Sequence, residues 1–224
     1  MSRHRYADRT AAGEALAAGL VHWAGRPDVA VLALPRGGVP VAAPVARRLA
    51  APLGLVMVAK LGVPGHSELA MGAVASLGGA LQLVRNEPVL VRSGVSPATF
   101  QAAANRATAE LELRAARYGY PPLALADQLV IVVDDGLATG STMLAAVRAV
   151  RAQEPAGVVV AVPVAAAEAV TLLREVADDV VCPEIPTNFL AVGYAYADFS
   201  QVPDDAVSWP GTQKGPAAFA TGPE

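Results

Sequence analysis

Residues 129–142 read LVIVVDDGLATGST, and this stretch decides the fold class. Its first five residues are apolar and mostly β-branched, which predicts a short buried strand. Two aspartates, Asp134 and Asp135, follow directly, and a glycine-containing loop comes next. Ser141 and Thr142 open a helical pattern that continues to about Gln153. A buried strand, a polar loop and a helix in this order predict one unit of a parallel sheet.

The same alternation of strand and helix recurs along the chain. Continuous apolar strands indicate burial on both faces, so the pattern predicts an α/β fold: a parallel sheet with helices on both faces. The other predicted strands are Val29–Pro35, Leu53–Lys60, Gly157–Ala165 and Asp179–Ile185.

Polar caps and apolar periodicity predict the helices. Asp8 caps a helix that runs to about Trp23, and Ser96 caps a long helix that runs to about Tyr118. A further helix is predicted over Ala166–Ala177.

Proline and glycine predict the interruptions. The stretch VPVAAPVARRLA, residues 39–50, predicts a helix only if Pro40 and Pro44 both lie near its first turn. The glycine- and proline-rich stretch Leu61–Gly72 predicts a loop, and residues 73–84 predict a hairpin that turns at Gly78 and Gly79.

We divide the chain into three parts. Residues 1–182 form the predicted core, including a mobile loop at 61–72, and residues 183–208 form a hood. The hood sequence is aromatic and irregular, which is typical of a small lobe over the end of the sheet. Residues 209–224 are expected to be disordered, because they are rich in Gly, Pro and Ala.

Composition narrows the classes of protein. No apolar run reaches the ~18 residues of a membrane helix, and acidic residues interrupt the start of the chain, so we expect neither a membrane span nor a targeting segment. The single Cys182 excludes an internal disulfide and suits the cytoplasm. Three scattered histidines argue against a dedicated zinc site, and a net charge of −3 argues against a nucleic-acid partner.

The opening stretch has the chemistry of a sugar-phosphate site. Residues 139–142 lead into a helix, so their backbone N–H groups and the helix dipole point at one spot that favours phosphate. Gly140 allows a close approach. The carboxylates of Asp134 and Asp135 are acceptors that suit a vicinal diol. Together they predict a site for ribose 5-phosphate. The alternative is a strand end that simply reaches solvent.

Two other readings of the aspartate pair fit less well. Response-regulator receivers carry such a pair near the chain start, without Thr-Gly-x-Thr after it. A nucleotide-triphosphate loop needs Gly-x4-Gly-Lys, which does not occur here.

The apolar run, Asp-Asp, three residues and Thr-Gly-x-Thr resemble the phosphoribosyl-pyrophosphate loop of type I phosphoribosyltransferases, a Rossmann-like fold. The loop is most similar to that of the adenine-type enzymes, where Ala, here Ala138, also precedes Thr-Gly. The resemblance implies that Asp134 and Asp135 hold the ribose hydroxyls. It also implies that residues 138–142 (Ala138, Thr139, Gly140, Ser141, Thr142) wrap the 5-phosphate.

The stretch LPRGGVPVA, from Leu34, resembles the pyrophosphate loop of the same family. Arg36 would supply charge, and Gly37 and Gly38 would let backbone amides approach a diphosphate. The family often has a non-proline cis peptide here, so the Pro35–Arg36 bond is a candidate. A simple turn is the alternative reading of Arg-Gly-Gly.

KLGVPG, from Lys60, resembles the start of the mobile loop that closes over the substrate in adenine-type enzymes. The resemblance implies that Lys60 neutralises the departing pyrophosphate; a solvated lysine is the alternative. Glu68 is a candidate acid or a candidate ligand of metal-bound water; an ordinary surface carboxylate is the simpler alternative. Ser67 lies in GHSEL, which starts like a hydrolase elbow, but Leu69 replaces the second glycine.

FLAVGYAYADF, residues 189–199, resembles the hood of hypoxanthine-guanine phosphoribosyltransferases. Phe189 would stack on the base and Asp198 would approach a metal; plain packing of the lobe is the alternative. The 6-oxopurine enzymes place an aspartate where this chain has Ala138, so hypoxanthine and guanine are less favoured. Gly136 replaces a branched residue, which we expect to loosen the loop.

The resemblance implies transfer of a 5-phosphoribosyl group from phosphoribosyl pyrophosphate to a nitrogenous base, purine-like, with release of pyrophosphate. Arg36, Lys60, Asp134 and Asp135 would be the catalytic residues, and Mg²⁺ would be held mostly by substrate oxygens and water. We expect a homo-oligomer, a dimer. One alternative is a regulatory protein that binds phosphoribosyl pyrophosphate with little catalysis; a weaker one is a hydrolase built on Ser67.

Overall fold

A computed structural model of the chain describes residues 5–77 and 80–207, except for the side chains of residues 67, 68 and 80. The described residues form eight strands: β1 Val29–Ala33, β2 Leu53–Leu55, β3 Met57–Val63, β4 His66–Leu77, β5 Ala80–Arg85, β6 Leu129–Val133, β7 Gly157–Ala161 and β8 Asp179–Val181. They also form six α-helices: α1 Arg9–Gly19, α2 Gly38–Leu49, α3 Glu87–Ser93, α4 Pro97–Tyr118, α5 Ser141–Arg151 and α6 Ala167–Arg174.

Five strands form a parallel sheet in the order β2-β1-β6-β7-β8. Alternate residues of a strand point to opposite faces, and here both faces are buried. Val31 and Ile131 pack on one side with α1 and α2, while Leu32 and Val132 pack on the other with α5. The predicted parallel sheet with helices on both faces is therefore confirmed.

A second, antiparallel sheet has the order β3-β4-β5. This small sheet spans residues 57–85, so the hood of the fold includes a part of the chain that lies outside the predicted hood at residues 183–208. The predicted strand Leu53–Lys60 divides at Val56, where the chain leaves the parallel sheet. The predicted loop over Leu61–Gly72 is wrong, because β3 and β4 pair across most of it, from Met57↔Ser76 to Val63↔His66. Burial of apolar side chains on this hairpin outweighed its glycines and its proline.

The second hairpin was predicted correctly, since β4 and β5 pair from Gly72↔Arg85 to Leu77↔Ala80. Its turn residues, 78 and 79, lie outside the described residues.

The predicted helix caps are confirmed: the side chains of Asp8 and Ser96 accept the backbone N–H groups of Ala11 and Thr99. The expectation for the prolines of α2 is wrong, because Pro44 lies inside the helix, beyond its first turn. Proline removes one helical hydrogen bond. The buried residues Val41, Val45 and Leu49 hold the helix on the sheet despite this loss.

The C-terminal segment returns to the start of the chain. Its residues between β8 and position 207 contain one short 3-10 turn, Val192–Ala195, and the segment pairs with the N-terminus through a bridge between Tyr6 and Tyr196. The predicted boundary at residue 182 stays a prediction, and the predicted tail lies outside the described residues. Of the helices described, none is long and apolar enough to cross a membrane.

Candidate functional site

The loop between β6 and α5 has the geometry of an anion site. Gly140 caps α5 with a φ of +73°, a conformation that glycine adopts without strain. Among the hydrogen bonds between described residues, none is donated by the backbone N–H of Ala138, Thr139 or Gly140. The N–H of Ser141 makes only a long contact, 3.4 Å, to the Thr139 hydroxyl. These amides are thus available at the positive end of the helix.

The two aspartates lie partly buried at the end of β6. Asp134 Oδ1 accepts the backbone N–H of Asp135 at 2.8 Å. Burial, and then the charge of Asp135, raise the pKa of Asp134 well above its usual range. Burial also raises the pKa of Asp135, while a hydrogen bond from Arg9 opposes that rise. The site thus holds two neighbouring carboxyl groups whose pKa values are both raised by burial.

Arg9 and Tyr196 complete this acid pair, and sequence reasoning missed both. Arg9 Nε lies 2.8 Å from Asp135 Oδ2, and the two side chains are only 11% and 16% exposed. The Tyr196 hydroxyl donates to the backbone carbonyl of Asp135 at 2.5 Å. No sequence signal relates residues so far apart, because only the folded chain brings them together.

The Arg-Gly-Gly loop lies directly against the acid pair. The bond between Pro35 and Arg36 is a cis peptide, as the sequence predicted. A Cβ atom on Gly37 would lie 2.1 Å from Asp135 Oδ2, and one on Gly38 would lie 2.7 Å from the carbonyl of Val133. Glycine at 37 therefore leaves room for the Asp135 carboxylate, and glycine at 38 allows two backbones to approach closely.

Arg36 faces a carboxylate that sequence reasoning also missed. Its Nη1 lies 3.6 Å from Asp204 Oδ1, in the C-terminal segment. Asp204 also pairs with Arg117 at 3.0 Å and accepts the Tyr118 hydroxyl at 2.9 Å. The residue predicted to bind pyrophosphate is thus already next to an anionic group.

The phosphoribosyl transferase domain model matches residues 4–198 of the chain. The chain belongs to the phosphoribosyl transferase family. The match covers both glycine loops, the acid pair and most of the C-terminal segment.

Individual relatives agree with this assignment. Two Mycobacterium tuberculosis proteins, from strains CDC 1551 and H37Rv, have names that assign them provisionally as phosphoribosyl transferases. Each is 42% identical over 202 residues, which cover 89% of this chain and 45% of the relative. The chain therefore spans about half the length of these relatives.

A solved structure also shares the fold. The crystal structure of TT1426 from Thermus thermophilus is 43% identical and superposes with a TM-score of 0.78. The superposition covers 91% of this chain and 95% of that one. The predicted phosphoribosyltransferase fold is confirmed.

Lys60 lies apart from Arg36 in this member of the family. Residues of the antiparallel sheet and of α5 line a cavity of about 500 Å³, among them Lys60, Ser141, Thr142 and Arg148. Arg36 instead lines a cavity of about 240 Å³ with Tyr118 and Asp204. The structure brings Lys60 towards the phosphate loop rather than into the cavity that Arg36 lines.

The predicted hood residues have less distinctive surroundings. Phe189 is partly buried against apolar side chains of both the sheet and the C-terminal segment. Asp198 is exposed, and hydrogen bonds from Ser200 lower the pKa of its carboxyl group. Among the residues described, no three acidic, histidine or cysteine side chains form a metal-binding group. The stacking of Phe189 on the base and the approach of Asp198 to a metal stay predictions.

The structure differs from the expectation for Gly136 and does not support the hydrolase alternative at Ser67. Gly136 was expected to loosen the loop, but a Cβ atom there would lie 2.5 Å from Val192, so that side chain already fills the space. Ser67 lies within β4 rather than at a strand-to-helix turn, so it does not form a nucleophile elbow. Nothing is described of the side chains of Ser67 and Glu68.

Proposed function

We propose that this protein transfers the 5-phosphoribosyl group of phosphoribosyl pyrophosphate to a nitrogenous base and releases pyrophosphate. One observation carries the proposal: uncommitted amides at residues 138–140 lie at the start of a helix, and two carboxyl groups precede them by a few residues. A phosphate and a vicinal diol are the groups that such a pair of sites fits.

The parts of the substrate can be assigned to parts of the site. The 5-phosphate binds the amides and hydroxyls of residues 138–142, and Asp134 and Asp135 accept hydrogen bonds from the ribose hydroxyls. Arg36 and the amide of Gly37 face the diphosphate. The expectation for the amide of Gly38 is wrong, because its N–H donates to the carbonyl of Leu34 at 2.9 Å. Lys60 approaches from the antiparallel sheet. The protein accelerates the reaction chiefly by placing charge and by orientation.

Pyrophosphate leaves readily only when its charge is neutralised. Mg²⁺ would supply the neutralising positive charge when it is bound with the substrate. No preformed metal-binding group occurs among the residues the structure describes, so the ion would be held mostly by substrate oxygens and water. Asp198, with its lowered pKa, is the protein carboxylate we propose near it.

We propose a purine-like acceptor. Ala138, an exposed residue, stands where the 6-oxopurine enzymes carry an aspartate, which disfavours hypoxanthine and guanine. Phe189 is the proposed stacking partner. The predicted dimer and the predicted cytoplasmic location stay predictions.

Pyrophosphate release tests the reaction. Purified protein is mixed with phosphoribosyl pyrophosphate, Mg²⁺ and each of a panel of purine and pyrimidine bases. We expect release with one base or a small group of bases. Tight binding of phosphoribosyl pyrophosphate without release with any base would refute catalysis.

That second outcome describes the alternative function, a regulatory protein that binds phosphoribosyl pyrophosphate. The contact between Arg36 and Asp204 favours this alternative, because a carboxylate next to Arg36 competes with the pyrophosphate group.

A further inference from the structure

Three segments that are distant in sequence converge on one carboxyl group. The guanidinium of Arg9 binds Asp135 Oδ2 through Nε and donates from Nη1 to the carbonyl of Ser200 at 2.8 Å. The same guanidinium carbon lies 3.9 Å from the centroid of the Phe199 ring. Tyr196 holds the backbone of Asp135 from the same segment.

This arrangement fixes the guanidinium in both position and orientation. Its plane is held by a carboxylate, a carbonyl and an aromatic ring, contacts that arginine makes better than lysine. At 11% exposure, little solvent reaches the ion pair, so the charge of Arg9 acts strongly on Asp135.

The proposed role of Asp135 requires that its carboxylate stay ionised in a largely buried site. Burial raises the pKa of Asp135 and of the neighbouring Asp134, so negative charge on this pair is costly next to a substrate that carries phosphate groups. Arg9 offsets this cost, because it places a positive charge in contact with Asp135. It also occupies only one oxygen of Asp135, Oδ2, which leaves the other as an acceptor for a hydroxyl.

We propose that Arg9 is a positioning residue for the ribose site: it fixes and neutralises Asp135 so that this carboxylate accepts a ribose hydroxyl beside the bound phosphate. This inference rests on the proposed function. Arg9 acts through Asp135 and needs no contact with the substrate.

The groups that face Asp135 are Arg9 from α1, Asp134 from the end of β6 and Tyr196 from the C-terminal segment. Burial raises the pKa of Tyr196, so its hydroxyl stays neutral at ordinary pH. If Arg9 is removed, the pKa of Asp135 rises further, because the group that opposed its desolvation is gone. Binding that needs the carboxylate is then lost at a higher pH.

The test compares Arg9→Gln and Arg9→Lys with the unaltered protein by calorimetry. The ligands are ribose 5-phosphate and inorganic phosphate, each titrated from pH 5 to pH 8. Arg9→Gln should weaken ribose 5-phosphate binding about tenfold or more. It should also raise the pH below which the affinity falls. It should change phosphate binding by less than about threefold, because phosphate does not use Asp135. Arg9→Lys should recover part of the shift.

Arg26→Gln is the matched control, because it also removes an arginine–aspartate pair, with Asp28, but an exposed one. Carbon-13 NMR titration of the Asp135 carboxyl group in the free protein gives a readout that needs no ligand. Should Arg9→Gln not fold, Arg9→Lys gives the same comparison of pH midpoints.

The outcomes separate the two proposals. If the unaltered protein binds ribose 5-phosphate and Arg9→Gln binds it equally, with an unmoved Asp135 titration, Arg9 has no positioning role. If the unaltered protein binds phosphate but gains nothing from the ribose, the ribose role of the acid pair fails, and the proposed function fails with it.

Discussion

Gly37→Ala is the sharpest perturbation of this site, because it adds one carbon atom between the Arg-Gly-Gly loop and the carboxylate of Asp135. The backbone of Gly37 has φ −59° and ψ −37°, which alanine adopts readily, so the effect comes from contact alone. The new Cβ would lie 2.1 Å from Asp135 Oδ2, and ordinary contacts begin near 3.4 Å. The carboxylate must therefore move by about an ångström.

That movement breaks the 2.8 Å hydrogen bond between Asp135 and Arg9. A hydrogen bond to a charged group contributes about 1.5–3 kcal/mol, which corresponds to about 10- to 150-fold in affinity. We expect Gly37→Ala to weaken ribose 5-phosphate binding by a factor in this range and to lower the urea midpoint. Calorimetry and urea denaturation measure the two effects.

Gly19→Ala is the control, since a Cβ there meets only Val181, at an ordinary distance of 3.6 Å. It should leave the affinity nearly unchanged and should not lower the urea midpoint, because alanine favours the helix that contains residue 19. An unaltered affinity and urea midpoint in Gly37→Ala would show that the Arg-Gly-Gly loop does not press on the acid pair as described.

Two other substitutions test the charges of the site. The pKa of Asp134 is raised in the folded protein. The contribution of this group to the free energy of unfolding is therefore fully present below the ordinary carboxyl pKa, and it is lost as the pH rises through the raised pKa. Asp134→Asn should therefore raise the urea midpoint more at pH 7 than at pH 4. Asp28→Asn is the control and should not raise it, because the pKa of Asp28 is lowered in the folded protein. Equal behaviour of the two variants would contradict a raised pKa for Asp134. Arg36→Ala should slow pyrophosphate release more than it weakens ribose 5-phosphate binding. Rate measurements and calorimetry check the two effects. An equal loss of both would show that Arg36 has a structural role.

The sequence predicted the parts of the molecule that local pattern controls. The five-residue apolar runs of β1 and β6 and the caps at Asp8 and Ser96 depend on neighbours in the chain, and all were predicted correctly. The glycine loop with its cis peptide at Pro35–Arg36 was predicted from the family resemblance.

The errors arose where tertiary contacts outweigh local signals. Residues 61–72 contain glycine and proline, yet they form two strands because Leu61, Val63 and Met71 are buried against the helices. Pro44 stays within α2 for the same reason.

Long-range partners had no signal in a single sequence. Arg9 meets Asp135 across 126 positions, and Tyr6 donates to the carbonyl of Pro163 across 157. Charge and aromatic character mark such residues as capable of these contacts, but the sequence does not pair them.

Asp135 is held by residues that lie far before it and far after it in the chain, and this order affects how the site forms during synthesis. A ribosome releases residues 196–200 last among the groups that hold Asp135, so a growing chain can complete its glycine loops and most of its sheet while the sugar pocket is still unfinished. Contacts of such sequence separation also form late and slowly. Local opening of the segment around Arg9 or of the segment around Tyr196 should open the same pocket, and a bound ribose phosphate should protect both segments from hydrogen exchange together.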